Sequence, residues 1–146
     1  MKSKRTPTRR ARAKLPHHGA YTRLRPSETH KGGVGVFPIR KIPKGAHIFT
    51  GDEDTEYVDL DRRKVERLAP KLRKLYRDFS IITNHGRVYR SPKNFNLMTI
   101  SWYLNEPRPG EKSNVRCGKN DLFYALRDIK PDEELTVDYK TYNEFK

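Results

Sequence analysis

The sequence holds a single cysteine, Cys117, among 146 residues. A lone cysteine closes no internal disulfide and builds no multi-cysteine zinc site. None of the five histidines (His17, His18, His30, His47, His85) stands at metal-ligand spacing from it or from another histidine, so no metal site is expected. Long apolar runs are also missing. No stretch approaches the roughly 18 apolar residues of a membrane span, and the charged N-terminus lacks the apolar segment of a secretory signal. The expected setting is cytoplasmic if the source is bacterial and nuclear if it is eukaryotic, with no membrane partner. Acids are absent from positions 1–27, where nine Lys and Arg and three prolines stand. Such a stretch buries too little to offset the entropy of ordering. Residues 1–25 are therefore expected to form a disordered basic arm, and residues 26–146 a single domain.

What is present is charge. The chain carries 32 Lys and Arg against 18 Asp and Glu, a net +14. The first 27 residues supply +9 of it. The remaining 23 basic and 18 acidic side chains leave +5 on the domain. The balance points to a polyanion, and the arm to nucleic-acid or chromatin contact. No helix-turn-helix, zinc finger or RNA-reading aromatic motif accompanies it.

Patterning gives a β-rich α+β domain. Gly33 to Phe37 alternates small with β-branched or aromatic residues, as a strand does. Ile42-Pro43-Lys44-Gly45 is a turn, and Ala46 to Thr50 a second short strand. Six acids between 52 and 61 suggest a calcium loop, but Tyr57 stands where the turn glycine belongs and Arg63 where the bidentate Glu belongs. A solvated acidic loop is expected instead. Val65, Leu68, Leu72, Leu75, Tyr76 and Phe79 share a helical face over residues 59–79, which Pro70 divides into two short helices. Asn84-His85-Gly86 marks a hairpin turn. A short helix is expected from Asn94 to Leu104, and strands at Asp121–Arg127 and Glu134–Val137.

Common catalytic signatures fail. Gly33-x-Gly35 lacks the third glycine and helix start of a dinucleotide fingerprint. Cys117 has no predictable histidine partner and reads as a packing residue.

The order of segments says more than any one of them. Gly33-Val34-Gly35-Val36-Phe37 through Lys44-Gly45 resembles the opening strand-turn-strand of the SET domain, the protein lysine methyltransferase family. Ala125-Leu126-Arg127-Asp128-Ile129 through Glu134-Leu135-Thr136-Val137-Asp138-Tyr139 is similar to its closing signature. Between them, Trp102-Tyr103-Leu104-Asn105 and Ser113-Asn114-Val115 resemble the family's Asn-His-Ser and Pro-Asn segment. The resemblance runs from about Pro26 to Asn143. It implies a compact SET domain without zinc-binding flanks: several short sheets in a β-clip, few short helices, and a C-terminal segment threaded as a pseudoknot. It also implies S-adenosylmethionine as cofactor and a lysine-containing protein or peptide as substrate. Carried over by motif, Gly33, Val34, Gly35, Asn105 and Glu106 lie at the cofactor, and Tyr139 is the catalytic residue. Tyr103, Tyr124, Val137 and Tyr142 are candidate walls of the lysine channel, with Phe123 beside them. Glu106 replaces the family histidine, Ser113 the proline, and Val137 an aromatic position.

Methyl transfer to an amine asks mainly for alignment and for a neutral lysine, which a narrow apolar channel favours by desolvation. Two alternatives stay open from sequence. One is a SET-fold module with weak or no catalysis. The other is a basic nucleic-acid or chromatin-associated binding protein.

Overall fold

The computed structural model describes residues 19–52 and 56–142. Among the described residues, seven strands form three small antiparallel sheets. β1 (Thr22–Pro26) pairs with β2 (Val34–Pro38). β3 (Tyr57–Asp61) and β4 (Ile81–Thr83) flank β5 (Val88–Pro92). β6 (Val115–Cys117) pairs with β7 (Phe123–Ala125). Two helices, α1 (Arg62–Glu66) and α2 (Pro70–Asp78), connect β3 to β4. No helix among the described residues is long and apolar enough to cross a membrane.

Local chemistry explains these boundaries. Asp61 caps α1 by accepting from the Arg63 amide at 2.8 Å. Pro70 opens α2, where its fixed φ suits the first helical turn and its missing N–H costs nothing. The hairpin at Asn84–Gly86 is present, with φ of 50° and 55° at Asn84 and His85 and 79° at Gly86. The amphipathic face packs only partly. Val65 is buried, while Leu72 stays 44% exposed.

Several sequence expectations shift. Residues 22–25, assigned to the arm, lie in β1, because the apolar β2 beside them supplies surface the arm itself lacks. Arg25 lies over the Phe37 ring at 4.7 Å and pairs with Asp132 at 2.9 Å. The rest of the arm through residue 18 falls outside the described residues. The acidic loop is in part strand β3, where Asp59 faces Arg90 across the ladder at 2.9 Å. Ala46–Thr50 reduces to a single bridge between His47 and Tyr124. The helix at 94–104 is two 3-10 turns, Phe95–Leu97 and Ile100–Tyr103.

The C-terminal segment decides the architecture. Three successive residues bridge three different parts of the chain: Leu135 to Val36, Thr136 to Asn105 and Val137 to Val115. Glu134–Val137 is therefore a threaded crossing rather than a strand in one ladder. Leu135 and Val137 are fully buried, within a core that includes Val36, Ile42, Ile48 and Ile129. Asn114 fastens the crossing. Its Nδ2 donates to the Glu134 carbonyl at 2.9 Å, and its Oδ1 accepts from the Thr136 amide at 2.8 Å. Asn114→Ala leaves two buried backbone groups unpaired. It is expected to cost about 2–4 kcal/mol in urea unfolding, since each orphaned group costs about 1–3 kcal/mol.

Candidate functional site

The threaded segment brings the opening and closing motifs to one place. Asn105 donates from Nδ2 to the Val34 carbonyl at 2.8 Å. The same amide nitrogen reaches Ser27 Oγ and Glu134 Oε1, each at 3.2 Å. Gly33, Val34, Gly35 and Asn105 thus form one wall, with Val34 43% exposed. A Cβ at either glycine would meet a neighbour, the buried Glu134 carboxylate at Gly35 and the exposed His30 ring at Gly33. A Cβ on Gly33 would stand 2.3 Å from His30 Cδ2, and one on Gly35 would stand 2.2 Å from Glu134 Oε1. Glu106 sits beside this wall, its Oε1 accepting from the Tyr139 amide at 3.3 Å. Arg108, further along the same loop, donates to the Glu28 carbonyl at 2.7 Å.

Tyr139 connects that wall to a cavity. Its hydroxyl donates to the Leu104 carbonyl at 2.5 Å, one residue before Asn105. Its ring meets Tyr142 edge-on at 6.1 Å, and Tyr142 meets Phe123 at 5.7 Å. Tyr139, Tyr142, Phe123, Trp102, Tyr57 and Leu104 line a narrow cavity of about 90 Å³. Burial, with the charge of Glu106 adding to it, pushes the Tyr139 phenol up to about 12. Burial also raises Tyr142 and, more mildly, Tyr57. These phenols are neutral dipoles at neutral pH. Asp52, Asp78, Asp121 and Arg90 also line the cavity, and Asp78 and Arg90 are paired with Lys74 and Asp59.

Not every expected wall residue lies here. Tyr103 packs edge-on against Phe79 at 5.5 Å. Tyr124 turns to the other face of its strand, against His47 at 5.5 Å, under Arg116 at 4.7 Å and hydrogen-bonded to Asn120. Val137 is wholly within the core. These three do not line the cavity, whereas Tyr139, Tyr142 and Phe123 do. Tyr57 and Trp102 line the cavity too, beyond the wall residues expected from sequence. Trp102 carried a usable signal, being the only tryptophan and three residues before Asn105. Tyr57 carried none, since it stands in an acidic run.

Cys117 also lines the cavity, and burial, followed by the charge of Asp121, pushes its thiol up to about 11. Only the thiolate is nucleophilic. Iodoacetamide at pH 8 is therefore expected to label Cys117 about 100-fold more slowly than an ordinary thiol, because the thiolate fraction falls tenfold per unit of pKa. Mass spectrometry of the alkylated chain reads this directly. Labelling at the rate of free cysteine would show the site to be open to water.

Fold and site together define a class: a β-rich α+β domain in which a threaded C-terminal segment joins a glycine strand to an aromatic cavity. The family model of the SET domain matches residues 33–140, and the chain belongs to the SET domain family. A candidate histone methyltransferase from Plasmodium falciparum has a solved structure of similar fold. Its TM-score is 0.53 at 17% identity, covering 84% of this chain and 95% of that one. No curated protein matches the chain in sequence.

Proposed function

We propose that the chain transfers methyl groups from S-adenosylmethionine to a lysine side chain of a protein. The observation that carries this reading is the double engagement of Tyr139. Its amide meets Glu106 on the glycine-strand side, while its ring and hydroxyl face the aromatic cavity. One residue thus stands where a donor wall and an acceptor channel meet.

The residues fit the cofactor. Asn105 Nδ2 lies within reach of three acceptors, closest to the Val34 carbonyl, so its two N–H donors are used on the chain and its Oδ1 is the amide atom suited to accept from an ammonium group. Gly33, Val34, Gly35 and Asn105 would hold the cofactor's amino-acid end. When bound, the cofactor would supply a sulfonium methyl as the electrophile for the amine nitrogen, with the sulfide as its leaving group.

The chain supplies alignment and a channel walled in part by aromatic rings. Aromatic walls desolvate the entering ammonium and favour its neutral form. Their π faces hold the cation on the way in. Tyr139 donates its hydroxyl proton to the Leu104 carbonyl, which fixes the phenol oxygen, an atom able to accept from the lysine amine, at the channel. The basic stretch 1–27 supports a docking role toward a polyanion or chromatin, separate from this chemistry.

Calorimetric titration and thermal melting with S-adenosylmethionine test the reading, followed by labelled transfer into lysate proteins. Binding is expected to raise stability by mass action, by about 2.7 kcal/mol at a hundredfold excess over Kd. No heat and no shift at millimolar cofactor would overturn it. Binding without transfer to any protein would favour the catalytically silent module.

A further inference from the structure

Glu134 is 5% exposed, yet among the described residues no Lys or Arg pairs with its carboxylate. Its oxygens accept from Ser27 Oγ at 2.7 Å, the Glu28 amide at 2.7 Å and the Thr29 amide at 3.1 Å. Asn105 Nδ2 at 3.2 Å and Thr29 Oγ1 at 3.4 Å complete the set. Every partner donates, which is what an acceptor-only carboxylate requires. Three segments meet on this one group: the turn at 27–29, Asn105, and Gly35, whose lack of a Cβ leaves room for it. The Ser27 hydroxyl relays the arrangement, accepting from the amides of Thr29 and His30. The Ser27 amide in turn donates to the Gly33 carbonyl at 3.0 Å, which fixes the start of the glycine wall.

We infer that Glu134 is the positioning residue of the cofactor wall: it sets the orientation of the Asn105 amide and holds the 27–33 turn against it. Resting on the methyltransferase reading, this assigns to Glu134 control of cofactor affinity, with no part in lysine recognition. The cavity is lined by other residues, and Glu134 is not among them. A carboxylate is needed because a carboxamide would turn an N–H toward at least one of these donors. It would also allow the Asn105 amide to flip, pointing a donor where the ammonium of the cofactor needs an acceptor.

The test is Glu134→Gln in the full chain, read in three ways. Backbone hydrogen exchange at Glu28 and Thr29 is expected to speed up by tenfold or more, while Val115 to Cys117 keep their protection, since a bond to a charged acceptor accounts for about one to two decades. Calorimetric Kd for S-adenosylmethionine is expected to rise about 10- to 100-fold on the same ground. The KM for the protein substrate, and kcat at saturating cofactor, are expected to stay within about threefold, because the cavity is untouched. Loss of all three parameters together with melting would make Glu134 a general structural residue and overturn the inference. Unchanged exchange and unchanged Kd would overturn it as well. If the glutamine variant does not fold, Ser27→Ala decides: it removes one donor from the same carboxylate, and an unaltered cofactor Kd there rejects the assignment. A wild-type chain that takes up no cofactor sinks the methyltransferase reading, while the exchange at Glu28 and Thr29 still reports whether Glu134 holds the turn.

Discussion

Tyr139→Phe is expected to lower kcat for methyl transfer by about 100-fold, the usual cost of a mis-set reacting group, while the calorimetric Kd for S-adenosylmethionine moves less than about threefold. The asymmetry follows from where the hydroxyl points. It is bonded to the Leu104 carbonyl on the cavity side, whereas the contact with the donor wall runs through the Tyr139 amide, which phenylalanine keeps. Removing the oxygen leaves the lysine amine without its acceptor. The pH profile adds a second check. With its pKa raised to about 12, Tyr139 keeps its proton through the working range and takes none from lysine. The rising limb of kcat/KM with pH therefore belongs to the substrate amine, and the Phe variant is expected to keep that limb at reduced height. Stability runs the other way. A phenol that ionises at an ordinary 10.0 unfolded and about 12 folded adds stability below pH 10, and that stability is lost as pH rises through 12. Alkaline melting of the Phe variant is expected to show a shallower slope, with Tyr142 supplying the remainder. Wild-type turnover in the variant would remove Tyr139 from its role.

How far the sequence reached depends on the kind of residue. The hairpin was legible because Asn-His-Gly tolerates positive φ where most residues do not. The helix break was legible because proline has one conformation to offer. β1 was hidden, since it forms by pairing with β2 and not from its own basic composition. Within the site, motif order placed Gly33, Gly35, Asn105 and Tyr139 in one neighbourhood. It could not separate Phe123 from Tyr124, adjacent aromatics of one strand that face opposite sides. Glu133 and Glu134 show the same limit. The first is paired on the surface with Arg127, and the second is buried under Gly35. Two neighbouring carboxylates in a charged run read alike until the threaded segment gives them different partners.

Gly35→Ala is expected to destabilise the fold by about 2–4 kcal/mol, combining overpacking with broken hydrogen bonds to a charge. In a domain of this size that corresponds to a fall in Tm of roughly 5–15 °C. The added Cβ would meet Glu134 Oε1 at 2.2 Å, Glu134 Cδ at 2.7 Å and Phe37 Cε2 at 3.2 Å. None of these can yield cheaply. Phe37 is fully buried, and Glu134 is fixed by donors on both oxygens. Displacing the carboxylate would release the 27–29 turn and Asn105 together, so cofactor affinity is expected to fall with stability. Gly45→Ala is the control. Gly45 has φ of 80° and nothing within 4 Å of an added Cβ. Its substitution pays only the left-handed backbone penalty, about 1–2 kcal/mol, and leaves cofactor Kd alone. The two variants separate contact from conformation. If Gly35→Ala melts within 2 °C of wild type and binds cofactor unchanged, the close seat of Glu134 beneath the glycine strand is wrong.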